Sequence, residues 1–93
     1  MIHEFGIKAK CISTDYKKWG ATDDPKDLTV GEEYFVDYVV IHGSYTQVYL
    51  AGEHSNKAYN SVNFEFYLDG KEIDIVDTFH SQLGVHKCHG YVK

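Results

Sequence analysis

The sequence predicts an all-β domain, on three observations. Apolar and polar residues alternate along most runs, the period-two pattern of strands that bury one face. The chain has one proline, and its eight glycines lie mostly between apolar runs, where tight turns belong. No window sustains an apolar stripe at helical spacing. The 93 residues make one domain, 1–93, with a modest core and little left for a deep cleft.

The first strand is expected from Ile7 to Ile12, with Ile7, Ala9 and Cys11 on one face and Lys8 and Lys10 on the other. A long connection follows, from Ser13 to about Thr29, and connections beyond about 12–15 residues commonly carry function. Within it, Asp24-Pro25 suits the start of a short helical turn, and Val30-Gly31 closes the loop. The second strand, Glu33 to Ile41, places Tyr34, Val36, Tyr38 and Val40 on one face and Glu33, Phe35, Asp37, Val39 and Ile41 on the other. His42-Gly43-Ser44 turns the chain into a third strand, Tyr45 to Leu50, with Thr46, Val48 and Leu50 opposite Tyr45, Gln47 and Tyr49. A polar loop, Ala51 to Ala58, leads to a tight turn over Tyr59-Asn60-Ser61-Val62-Asn63. The fourth strand, Phe64 to Leu68, directs Phe64, Phe66 and Leu68 inward. Asp69-Gly70 between two alternating runs predicts a type I′ hairpin, because both central residues need positive φ. The fifth strand, Glu72 to Asp77, buries Ile73 and Ile75, and the last residues add a short turn and an edge strand near Val85 to Tyr91.

Five short strands, a long first loop and a tight turn before the fourth strand describe a small barrel of the SH3-like type with a C-terminal extension. Lys8-Ala9-Lys10-Cys11-Ile12, Leu28-Thr29-Val30-Gly31-Glu32-Glu33-Tyr34 and Phe64-Glu65-Phe66 carry a resemblance to small uncharacterised proteins of bacteria, phages and prophages with SH3-like barrels. It covers about Ile7 to Val76. The resemblance implies a fold and a phage or mobile-element origin, and no activity. The Ala-Leu-Tyr-Asp-Tyr and Trp-Trp signatures of polyproline-binding SH3 domains are absent.

Composition narrows the function classes. The chain has no arginine and a formal net charge of -5, so tight phosphate clamping and guanine reading are disfavoured. Lys8, Lys10, Lys17, Lys18 and Lys87 offer a local basic patch, but the acidic total argues against nucleic acid. The N-terminal Met-Ile-His-Glu-Phe-Gly lacks the basic and apolar regions of a signal peptide, and no apolar run approaches a membrane span. A cytoplasmic protein without a cofactor is expected, and in that compartment Cys11 and Cys88 are expected as free, buried thiols.

Aromatic residues make up 15% of the chain, and tyrosine-rich surfaces point to protein contacts. Two sites fit a non-enzymatic binding module. The first is the long loop, where Tyr16 and Trp19 neighbour Asp23 and Asp24, together with the turn bearing Tyr59 and Asn63. An aromatic floor with an acidic rim suits a basic or extended peptide; the alternative is that Trp19 folds back to cap the barrel. The second is a stripe of Phe35, Val39, Ile41, Tyr45 and Tyr49, too apolar to face water. Either the C-terminal segment covers it, the preferred reading, or it forms a homodimer contact. A protein that binds and blocks a host or defence factor would fit a phage origin.

The alternative is a small metal-binding or thiol-dependent enzyme using His80, His86, Cys88 and His89. His86 and Cys88 share a face if they lie on one strand, but the paired Cys-x-x-Cys knuckles of structural zinc sites are absent. Adjacent Cys88 and His89 would point oppositely on a strand and form no dyad. The carboxylate pairs Asp23/Asp24, Glu32/Glu33 and Asp74/Asp77 fall on loop, strand-entry and outward positions, which suits solvated surface better than acid–base catalysis. No metal and no catalytic residue is therefore assigned.

Overall fold

The computed structural model describes residues 3–16 and 21–92, with side chains placed for 6–16 and 21–88. Trp19, Lys17 and Lys18 lie outside the described residues, as does the side chain of His89. The described chain is nearly all β. Its strands are β1 (His3–Gly6), β2 (Lys8–Cys11), β3 (Glu33–Ile41), β4 (Thr46–Leu50), β5 (Tyr59–Asn60), β6 (Phe64–Leu68), β7 (Lys71–Ile73), β8 (Gly84–Lys87) and β9 (His89–Val92). Three short helical segments join them: 3₁₀ turns at Gly52–His54 and Ser61–Asn63, and α1 (Ile75–Thr78). The main sheet is open and antiparallel, in the order β5-β4-β3-β2-β6-β7, with β8 also paired to β3. A separate ribbon pairs β1 with β9.

β3 belongs to both halves of this sheet. One edge takes β4. The other takes β2 over Glu33, Tyr34 and Phe35, and then β8 over Tyr38 to Ile41. The exchange of partners occurs at Asp37, where the β3–β4 register slips between Val36 and Tyr38. This bulge overturns part of the expected face assignment. A one-residue slip reverses every later side chain. Val36 lies inward before the bulge, and Val39 and Ile41 lie inward after it, with exposures of 0%, 0% and 3%. Tyr38 and Val40 turn outward instead, and Phe35, before the slip, stays exposed.

The alternation of the other strands holds. Ile7, Ala9 and Cys11 are buried, as are Thr46, Val48 and Leu50 on β4 and Phe64 and Phe66 on β6. The apolar members of this set form one continuous core with Val36, Val39, Ile41, Tyr59 and Ile75. Leu68 is only partly buried and packs at its margin.

The chain departs from a fifth strand at Asp74. Its Oδ1 accepts hydrogen bonds from the Val76 and Asp77 amides at 3.0 and 2.9 Å, capping the single turn of α1. The strand therefore stops at Ile73, while Ile75 still reaches the core. Asp24-Pro25 forms a turn rather than a helix: Leu28 N–H donates to Pro25 O at 2.9 Å. The C-terminal edge strand divides at Cys88 into β8 and β9. β8 lies beside β3 rather than across its face, whereas Val76 and Phe79 pack against the core.

The Asp69-Gly70 hairpin takes the expected form. Asp69 has φ 52° and Gly70 φ 78°, between the paired residues Leu68 and Lys71. A Cβ on Gly70 would meet no atom within 4 Å, so substitution there is opposed by backbone strain alone. Gly70→Val is expected to destabilise the protein by about 1–2 kcal/mol, measured by denaturant unfolding. An unchanged midpoint would contradict the turn geometry.

Candidate binding surface

The long first loop is fastened to the sheet at several points. Asn63, 4% exposed, donates from Nδ2 to Ser13 O at 2.9 Å and to Asp15 O at 3.0 Å. Tyr16, 40% exposed, donates its hydroxyl to Thr22 O at 2.9 Å. Ala21 N–H donates to the Tyr45 hydroxyl at 3.3 Å, and Gln47 Nε2 donates to Ala21 O at 2.7 Å. Asp23 pairs with Ala58 twice: its N–H donates to Ala58 O at 2.7 Å, and its Oδ2 accepts from Ala58 N–H at 2.8 Å. Asp24 Oδ1 accepts from Lys26 N–H at 3.0 Å and shapes the turn that buries Pro25.

Asp27 closes the second limb of the loop. Its carboxylate accepts from the Tyr59 hydroxyl at 3.2 Å to each oxygen, and from Lys57 Nζ at 3.3 Å. His54 Nδ1 lies 3.3 Å from Oδ2. Partial burial pushes the Asp27 carboxyl up. The hydrogen bonds from Lys57 and Tyr59 and the Lys57 charge outweigh this and hold it below the usual carboxylate range. The same pairing, after burial, raises the Tyr59 phenol far above its ordinary value.

Tyr59 is fully buried and Asn63 nearly so, which corrects their expected place on a binding surface. Tyr59 is a core residue because β5 pairs it with Val48 on the inner face of β4, and Asn63 anchors the loop. Sequence reasoning had no signal for this, since two residues are too few to display alternation. Tyr16, Asp23 and Asp24 remain at or near the surface.

The second expected site divides. Val39 and Ile41 are core, and Phe35 lies apart with Lys8 Nζ 5.3 Å from its ring centre. Tyr45 and Tyr49 stay on the outer face, where the bulge has delivered Tyr38 and Val40. Tyr38 and Tyr49 stack with centroids 4.4 Å apart at 13°, and Tyr45 stacks on His42 at 4.6 Å. Beside them on β8, Lys87 pairs with Tyr38, and Val85, 65% exposed, pairs with Val40. Burial, then the charges of Tyr38, Asp23 and Tyr45, raise the Tyr49 phenol. The bonds from Tyr45 and Gln47 to Ala21 lay the loop against this face. Tyr38, Tyr45, Tyr49 and Val85 thus lie on one outer face, and the loop that bears Tyr16 is bonded to it through Ala21.

The described side chains of the C-terminal cysteine–histidine group make separate contacts. Cys88 is 3% exposed, its Sγ directed at His86 O at 3.5 Å, and burial followed by the Asp37 charge pushes its thiol up to about 12. Burial also raises Cys11, whose Sγ lies 3.5 Å from Ser13 O. His86 stacks on Phe79 at 4.5 Å and its Nε2 meets Gln82 O at 2.8 Å. His80 is exposed, with φ 55°. Among the described residues no three of His, Cys, Asp and Glu converge as metal ligands. Asp74, from one of the carboxylate pairs, is a helix cap.

Residues 21–88 match the sequence family described as Bacteriophage T4 protein Y07B. The chain belongs to this phage protein family. The match runs from the second limb of the loop through β8 to Cys88. It takes in Asp23, Asp27 and the outer tyrosines and leaves Tyr16 and Trp19 outside. The phage origin implied by the sequence resemblance is met at the level of the family. No curated protein and no solved structure matches the chain. Among the described residues no helix is long and apolar enough to cross a membrane.

Two outcomes follow. Asp27 is held below its unfolded-state value, so its pairing contributes stability above that value and loses it as pH falls through the folded-state value. Asp27→Asn is expected to lower the melting temperature at neutral pH, with the difference from wild type shrinking below about pH 4. A difference independent of pH would contradict the ionic pairing. Thiol labelling of native protein at neutral pH is expected to be slow at both cysteines and fast after unfolding. Fast native labelling of either would contradict its burial.

Proposed function

We propose that this protein is a non-enzymatic binding module of the phage, which engages and blocks a host or defence protein in the host cytoplasm. The reading rests on the half-exposed tyrosine cluster of the outer face. Tyr38 and Tyr49 are carried on strands and Tyr45 immediately precedes β4, and stacking and a hydrogen bond to Tyr45 hold the cluster, so little side-chain freedom is left to lose on binding. Large, rigid aromatics with polar tips are the residues that most often anchor protein interfaces. Val85 and Val40 extend the cluster with apolar surface, and Tyr16 joins it through the loop.

An SH3-like arrangement is part of the proposal. The long first loop lies beside the 3₁₀ turn that precedes β6, where that resemblance would place it, and Asn63 links the two. The acidic, arginine-free chain favours a partner with a basic surface, including one whose groove normally holds nucleic acid.

The test is capture of a partner from host lysate by wild type and by variants, followed by affinity measurement with the purified partner. Tyr38→Ser with Tyr49→Ser is expected to weaken binding by at least ~2 kcal/mol, roughly thirtyfold, with the fold retained by circular dichroism. Asp23→Lys with Asp24→Lys is expected mainly to slow association, less so at high salt. A folded Tyr38/Tyr49 double variant that binds like wild type would overturn the assignment of this face.

A further inference from the structure

A second surface lies in the other half of the sheet. β7 ends at Ile73 and the chain turns away at Asp74, so among the described residues no strand pairs with β6 opposite Phe64 and Glu65 on that side. A groove of about 590 Å³ opens there, between the Ser61–Asn63 turn and α1. Its floor is apolar: Phe66 is nearly buried, Ile73 and Val76 are half-buried, and Val62 stands at the lip, 62% exposed. Its charged lining residues are Glu65, Glu72 and Asp74, with no lysine among them.

The carboxylates differ in how far they are already engaged. Asp74 caps α1, and Glu65 accepts the Tyr67 hydroxyl at 3.0 Å. The Glu72 carboxylate makes no side-chain hydrogen bond or ion pair among the described residues. The Tyr67 phenol beside the groove is pushed up first by the Glu65 hydrogen bond, then by desolvation and by the charges of Glu65, Glu72 and Glu33. An apolar floor whose charged lining residues are all carboxylates selects its occupant by charge, although Lys10 on β2 pairs with Glu65. A second copy of this chain, itself at -5, would bring like charge to the rim.

We propose that this groove docks an extended segment of a partner protein, with one apolar side chain on the Phe66–Ile73 floor and lysine or arginine on either side, facing Glu65 and Glu72. The site is separate from the outer tyrosine face and stands or falls independently of it.

The probe is a fluorescently labelled peptide with one isoleucine between two pairs of lysines, titrated into the full chain and followed by anisotropy and by amide chemical shifts. The largest shifts are expected at Val62, Ile73 and Val76. Glu72→Lys and, separately, Val62→Ser are each expected to weaken binding by about tenfold. Glu53→Lys, reversing a carboxylate that is 89% exposed elsewhere, is expected to leave binding unchanged. A peptide with serine in place of isoleucine is expected to bind more weakly. Three results would each overturn the proposal: shifts centred on Tyr38 and Tyr49, an equal loss with Glu53→Lys, or equal binding of the serine peptide.

Discussion

The architecture depends on a junction of backbone hydrogen bonds at the Asp37 bulge. Val36 N–H donates to Ile7 O at 2.9 Å, Cys88 N–H to Asp37 O at 3.0 Å, and Ile7 N–H to Cys88 O at 2.9 Å. Three distant segments therefore satisfy one another's main-chain groups at the point where β3 exchanges β2 for β8. Buried amides and carbonyls left unpaired are costly, so this closed set fixes the position of the slip. From the slip follow the inward course of Val39 and Ile41 and the outward course of Tyr38 and Val40. The inner and outer faces of β3 are set by the same three bonds.

The position of this junction also marks the limit of what the sequence could disclose. Strands with one buried face were legible because alternation is local: β2, β4 and β6 could be read from their own residues. The Asp69-Gly70 turn was legible because its backbone demands those residue types. The bulge was not, because it is set by pairing with segments some thirty and fifty residues away. An aspartate inside a run of aromatic and β-branched residues was the sole local hint. β5 was hidden by its length. The turn at α1 was obscured by Ile73 and Ile75, whose spacing suits a strand until Asp74 is recognised as a cap.

The candidate site was legible to the same extent. Tyrosine content and the long loop pointed to a contact surface, and among the tyrosines named for it Tyr16, Tyr45 and Tyr49 are at least partly exposed. Which aromatic residues reach solvent was decided by longer-range geometry. Tyr59 resembles a loop tyrosine in sequence, but its ring joins the core and its hydroxyl finds Asp27, more than thirty residues away. A phenol can be buried in this way because one polar atom needs one partner, and Asp27 at the edge of solvent supplies it.

The fastenings of the first loop have a consequence for how such a protein diversifies. Asn63, Tyr45 and Gln47 hold Ser13, Asp15 and Ala21 by their main-chain atoms, and Tyr16 holds the main chain of Thr22. Bonds of this kind are indifferent to the side chains of the residues they grip. Asp15 and Ala21 can be exchanged while the path of the chain between β2 and β3 is kept, whereas the Ser13 hydroxyl also accepts the Asp15 N–H at 3.1 Å. The framework then acts as a frame with a replaceable panel, whose surface chemistry can change without redesign of the core.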